Sequence, residues 1–219
     1  MKALRLLGLL VGVFAVMSVM ASPAFALPEG LPKQTLTGKN VGNATIETGA
    51  GSQIICEEAS GELTPSNNAL GLFHVHFLKC GTNLGGTCTG LGDTSGILVL
   101  GEYHIVWDKL APTLGVAILF LIEHVHWTCN PLGINTLLLA LGSVICLILT
   151  PTISSVTHEF HCTRTATKGE QEELHYWNDA GVEQLANLKA SVNEGAEEKF
   201  ALVMLGTLTG AAAWTVENT

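Results

Sequence analysis

The chain has 219 residues, 47% of them apolar and 13% charged, and its ten Lys and Arg against nineteen Asp and Glu give a net charge of −9. This excludes a mainly disordered chain, which wants low hydrophobicity and dense charge, and a coiled coil, which wants Ala, Glu, Lys and Leu at heptad spacing. Nucleic acid is a poor partner for so acidic a chain, because neutralising phosphate takes the opposite sign.

The N-terminus reads as an address. Lys2 and Arg5 form a positive start, Leu6 to Val19 is an uncharged apolar run, and Ala24 and Ala26 are the small residues of an A-x-A cleavage site. This is the pattern of a signal peptide cut after Ala26; the alternative is an uncleaved N-terminal anchor. Cleavage leaves eight basic residues against nineteen acidic ones and places Cys56, Cys80, Cys88, Cys129, Cys146 and Cys162 all in the exported part. An even cysteine count in an exported chain predicts disulfides. At this length about 70% of the unfolded surface can be buried, so the bridges reinforce a core.

Downstream, the periodicity is mostly two. After an extended lead-in at 27–35, Phe73, Val75 and Phe77 alternate with His74 and His76. Ile97, Val99, Tyr103, Ile105 and Trp107 share one face of the next run. Val116 to Trp127 is apolar on both faces at first and then alternates. A two-residue repeat over these lengths predicts strands with one buried face. Turn chemistry separates them at Pro65-Ser66-Asn67-Asn68, Gly81-Thr82-Asn83, Asn130-Pro131-Leu132-Gly133, Asn178-Asp179-Ala180-Gly181 and Asn193-Glu194-Gly195. Only Gln184 to Ala190 offers a competing short helix. No linker divides the chain. The expectation is an all-β domain over 36–216, a two-sheet sandwich or barrel of about ten or more short strands, preceded by a helical signal peptide at 1–26.

Leu132 to Thr150 carries no charge over nineteen residues, long enough for a membrane helix. No basic cluster follows Thr150, although a single span after a cleaved leader would put 151–219 in the cytoplasm, where Lys and Arg are expected. The preferred reading is buried strands at 116–128, 134–141 and 143–150, since strands covered on both faces read as continuous apolar runs. A single-span membrane protein through 132–150 is the alternative.

The eight histidines are the chemically suggestive feature. His74-Val75-His76 and His124-Val125-His126 each place two imidazoles on the same side of a strand. If those strands are neighbours, His74, His76, His124 and His126 can converge on Zn²⁺ or Cu²⁺, both of which take neutral imidazole; His158 and His161 could add to the set. The plain alternative is a solvated polar face with no cofactor. Among the cysteines, parity puts Cys80 on the His74 and His76 side and Cys129 on the Val125 and Trp127 side, the core. The favoured local bridge is Cys80–Cys88, clipping the Gly-rich loop between them; Cys56–Cys129 and Cys146–Cys162 follow by elimination, with a free Cys146 as the rival.

Catalytic motifs are not found. The Gly-Ser steps at Gly51-Ser52 and Gly142-Ser143 do not sit in a G-x-S-x-G frame. The acid pairs Glu57-Glu58, Glu172-Glu173 and Glu197-Glu198 are adjacent, so on strands they face opposite ways. Asn43-Ala44-Thr45 is a glycosylation sequon.

The order of phrases is nonetheless familiar. Gly51-Ser52-Gln53-Ile54-Ile55-Cys56, the loop between Cys80 and Cys88, Gly115-Val116-Ala117-Ile118-Leu119-Phe120-Leu121 leading to Cys129, Gly142-Ser143-Val144-Ile145, and Asn193-Glu194-Gly195-Ala196-Glu197-Glu198 follow one another through 36–216. In this the chain resembles a group of secreted β-rich proteins of soil actinobacteria with no assigned activity. The resemblance implies bacterial export and a β domain, and the His-Val-His triplets are not part of it. The functional expectation is therefore a secreted, non-catalytic β domain acting by surface contact on an extracellular or cell-envelope partner, touching the membrane only through its leader. A His-liganded metal protein or metalloenzyme is the alternative.

Overall fold

The computed structural model describes residues 26–109 and 115–218; the expected signal peptide, apart from Ala26, lies outside them. The chain is all β. Its strands are β1 (Pro28–Leu31), β2 (Leu36–Asn40), β3 (Ala44–Thr48), β4 (Gln53–Pro65), β5 (Leu70–Thr82), β6 (Thr87–Gly90), β7 (Gly96–Lys109) and β8 (Gly115–Cys129). They continue as β9 (Thr136–Ile148), β10 (Ser155–Cys162), β11 (His175–Trp177), β12 (Glu183–Leu185), β13 (Leu188–Val192) and β14 (Glu198–Asn218). A 3₁₀ turn, Pro131–Gly133, links β8 to β9. The stretch where a helix competed is strand as well, divided between β12 and β13.

All fourteen strands belong to one antiparallel sheet that bends into a partial ring. The pairings run β4–β5–β7–β8–β9. From β9 they pass to β14 through β10 along one part and β13 along another. They return from β14 to β4 through β2 and β3. The long last strand closes the circuit, so the N-terminal and C-terminal parts of the chain lie side by side. The lead-in joins this closure, because Pro28–Leu31 pairs with the end of β14.

Alternation fills the inside. Phe73 and Phe77 of β5, Ile97 and Val99 of β7, Phe120 and Trp127 of β8, Val144 of β9 and Phe200 of β14 all belong to the central core. Each such side chain removed from water contributes about 1.5–3 kcal/mol. A second, smaller core sits outside β7–β8–β9, where Val106, Ala117, Leu119 and Ile145 pack with Ala186 and Tyr176 from the segment carrying β11 and β12. Covering on both faces is why residues 116–120 read as a continuous apolar run.

The greasy stretch is sheet. Thr136–Ile148 forms β9, which corrects the reading of a membrane span through 132–150. Among the described residues no helix is long and apolar enough to cross a membrane. It is also one strand where two were expected. Gly142, with φ of 110°, lets the backbone continue through the bend, and a Cβ there would sit 2.0 Å from the Asn187 carbonyl oxygen.

Two local features change strand parity. Between Ile122 and Val125 the register on β8 slips by one residue against β9, a bulge that turns Glu123 and His124 outward and restores Val125, Trp127 and Cys129 to the core. On β5, Lys79 takes φ of 53°, so Leu78 is half-buried and Cys80 points into the core with Phe73 and Phe77. This corrects the placing of Cys80 on the His74 and His76 side. The parity argument assumed an unbroken pleat.

Tyr103, 4% exposed, gives the core a pH signature. Burial pushes its phenol up to about 12. The unfolded chain ionises near pH 10, so this contribution to stability is fully present below pH 10 and is lost as pH climbs toward 12. Denaturant midpoints should therefore fall across that window, and Tyr103→Phe should flatten the fall.

Candidate functional site: the cysteine row and the outer histidine face

Four cysteines stand in one row across β4, β5, β6 and β8. Cys56 opposes Cys80, Cys80 opposes Cys88, and Cys88 opposes Cys129. The bonds are Cys56–Cys80 and Cys88–Cys129, each with Cα atoms 4.0 Å apart. This corrects the expected Cys80–Cys88 and Cys56–Cys129 pairs. Cys80 does face Cys88 in register, but bonding those two would leave Cys56 and Cys129 three strand spacings apart. At about 4.8 Å per spacing that is roughly 14 Å, twice what a disulfide spans. Cys146–Cys162 forms as expected, tying β9 to β10, and no described cysteine is free. Three bridges of this kind belong to an oxidising, extracytoplasmic setting.

The two His-Val-His triplets do not meet. Along most of their length β7 runs between β5 and β8, and near the cysteine row β6 takes that place. The neighbour relation required for a four-imidazole site is therefore missing. His74 faces solvent between Glu62 of β4 and Leu100 of β7. His76 is half-buried, its Nε2 2.9 Å from Asp93 Oδ2. The hydroxyl and N–H of Ser95 both donate to Asp93 and, with His76, hold its carboxyl below the ordinary range. His124 lies exposed in the bulge, and His126 is exposed opposite Leu139. His104 lies 4.0 Å from Glu102, and His175 Nδ1 lies 2.7 Å from Glu183. Among the described residues no group of three or more His, Cys, Asp and Glu is arranged to hold a metal ion.

The remaining two differ from the six above. His158 is buried, its ring tilted at 58° against Trp214 with centroids 4.2 Å apart, and its Nε2 lies 3.0 Å from the Trp214 carbonyl. His161 is half-buried between β9 and β14.

What stands out on this outer face is apolar. β5 and β7 present Leu72, Leu98 and Leu100 at 58%, 44% and 57% exposure. Cross-strand pairing sets Leu72 beside Glu102, Leu100 beside His74 and Leu98 beside His76. The result is a checkerboard of leucine and imidazole with carboxylates at its margin. The sequence signal for it was the parity that singled out the histidines. Leu98 and Leu100 lie on the same side of the sheet as those imidazoles.

A second polar cluster had no sequence signal. Glu47 is 2% exposed, and its carboxylate accepts from Gln53 Nε2 at 2.9 Å and from the Gly169 N–H at 3.4 Å, with Arg164 Nε at 3.1 Å. Nearby, the buried Gln171 side chain accepts from the Leu202 N–H and donates to the Leu202 carbonyl, both at 3.1 Å, and donates to the Thr163 carbonyl. Its amide takes the place of a strand between β10 and β13. Both clusters tie the 163–171 loop to the ring.

The molecule so defined is a disulfide-bridged, all-β ring. The chain matches no family model, no curated protein and no solved structure.

Proposed function

We propose that this chain is an exported, non-catalytic β domain that works by surface contact, as an extracellular or envelope-associated binding or structural module. Of the two architectures expected, the circuit of pairings that returns from β14 to β4 supports the barrel. The three disulfides and the leader pattern at 1–26 support export with cleavage after Ala26. The resemblance to secreted actinobacterial proteins points the same way.

The observation that carries the reading is the leucine checkerboard of β5 and β7. Leu72, Leu98 and Leu100 form an exposed apolar group rimmed by polar residues, the composition of a contact surface. The acidic balance disfavours nucleic acid as the partner.

Co-sedimentation with the envelope fraction of the producing cell tests this. The processed wild-type protein is expected in the pellet, and Leu98→Ser/Leu100→Ser should reduce that retention about tenfold with an unchanged melting temperature, since loss of two desolvated anchors is worth over 1 kcal/mol. A wild-type protein that stays in the supernatant, or a double variant that pellets equally, overturns the proposal.

A further inference from the structure

We propose that one end of the ring inserts into a lipid surface with zwitterionic headgroups, and that Leu84, Leu132 and Ile134 are the side chains that enter it. This goes beyond the surface-contact reading and uses a different part of the molecule from the leucine checkerboard. It adds a membrane contact to the one made by the leader.

The three residues sit on two neighbouring connections, 83–86 between β5 and β6 and 130–135 between β8 and β9. Leu84 is 57%, Leu132 77% and Ile134 66% exposed. The connections are held side by side. The Asn130 N–H donates to the Thr87 carbonyl at 2.9 Å, and a Cβ on Gly86 would collide with the Asn130 carbonyl oxygen. The Cys88–Cys129 bridge lies directly behind both tips. Leu132 carries a second sign. Its φ of 53° is left-handed, a backbone that crowds a Cβ and is normally left to glycine. A bulky apolar residue is kept there although most of its surface is in water. A backbone outlier that adds so little to the core points to function.

Charge selects the partner. No Asp, Glu, Lys or Arg occurs from Cys80 to Gly92 or from Trp127 to Thr157, and charge is what lipid rejects most strongly. Lipid also asks that backbone polar groups be paired within the protein. The Gly85 N–H donates to the Thr82 carbonyl and the Ile134 N–H to the Pro131 carbonyl, both at 2.9 Å. The Thr82 hydroxyl donates to the Gly85 carbonyl at 2.6 Å, and Pro131 has no N–H to pair. An anionic surface does not suit this end. The adjoining β13–β14 turn is tied to β9 through Asn193 and Leu137, and it carries Glu194 and Glu197, both exposed. Lys79 of β5 is engaged by Glu58. A zwitterionic headgroup has no net charge for these acids to repel.

The test is sedimentation of the processed protein, which lacks the leader, with vesicles of pure phosphatidylcholine or pure phosphatidylglycerol. Phosphatidylcholine should carry the protein down, and phosphatidylglycerol at low salt should carry less. Leu132→Ser/Ile134→Ser should weaken the phosphatidylcholine partition about tenfold, since two apolar side chains no longer leave water. Its melting temperature should not change, because neither side chain is in the core. Leu132→Gly separates binding from folding. Glycine suits the left-handed backbone, so the melting temperature should hold or rise while the partition falls about threefold. Leu98→Ser/Leu100→Ser should partition as the wild type does, which keeps this contact distinct from the checkerboard. Absence of partition onto phosphatidylcholine, or a tip double variant that partitions like the wild type, overturns the lipid contact. Loss of partition in Leu98→Ser/Leu100→Ser overturns the assignment to the tips. Self-association without vesicles that the tip variants abolish makes the partner a second copy and also overturns it. Stronger binding to phosphatidylglycerol overturns the choice of headgroup.

Discussion

Replacing Arg164 by alanine should destabilise the protein by about 3 kcal/mol. Glu47 is almost completely enclosed, and the guanidinium 3.1 Å away is the one cationic partner described for its carboxylate. Removing one member of a buried pair typically costs about 3–5 kcal/mol, because the other charge stays behind without compensation. The Arg164 side chain is one-third exposed, which places the effect at the lower end, since water already screens part of the attraction. In a domain of this size the melting temperature would drop by roughly 10 °C. Glu47→Gln removes the charge and keeps an oxygen for the Gly169 N–H, so it should cost less, and adding it to Arg164→Ala should recover part of the loss. Urea unfolding of the four species measures this as a double-mutant cycle. A loss under 1 kcal/mol for Arg164→Ala would show that Glu47 is solvated in solution.

Removing the Cys88–Cys129 bridge should cost more still. Its sequence separation of 41 is the largest of the three, against 24 for Cys56–Cys80 and 16 for Cys146–Cys162. In the chain-entropy account the stabilisation grows with the logarithm of the closed loop, giving about 4 kcal/mol for the longest and about 3 kcal/mol for the shortest. Cys88→Ala/Cys129→Ala should therefore lower the unfolding free energy most and Cys146→Ala/Cys162→Ala least. The first bridge also anchors β6, a strand of only four residues whose pairs lie at the cysteine row and next to it. Its loss should raise hydrogen exchange at β6 above that of β8 and β9. The reverse order of stabilities would mean that strain, not loop closure, governs these bonds.

Much of the fold was legible because strand periodicity is a local property. Phe73, Val75 and Phe77 face the core, and Ile97, Val99, Tyr103, Ile105 and Trp107 do the same on β7. The candidate contact face was half legible. Alternation turns His74 and His76 away from the core, His74 exposed and His76 half-buried, and with them the leucines opposite. The metal reading needed two strands to be neighbours, and no feature of either strand reports which strand lies beside it. The Cys80 parity failed at Lys79, a residue that gives no hint of a positive φ.

By itself, the sequence determined that this is an all-β chain, that its even set of six cysteines points to disulfides, and that the uncharged middle lies inside a sheet. Those properties follow from side-chain alternation, thiol number and the burial of apolar surface, which are set residue by residue. Only the tertiary structure decided that β7 separates the two histidine triplets, that the cysteine row pairs from its ends inward, that β14 returns to close the ring, and that Arg164 reaches Glu47. The hydrophobic effect is non-directional, so it drives every strand to bury its apolar face without naming a neighbour. The neighbours are chosen by the packing of the whole core.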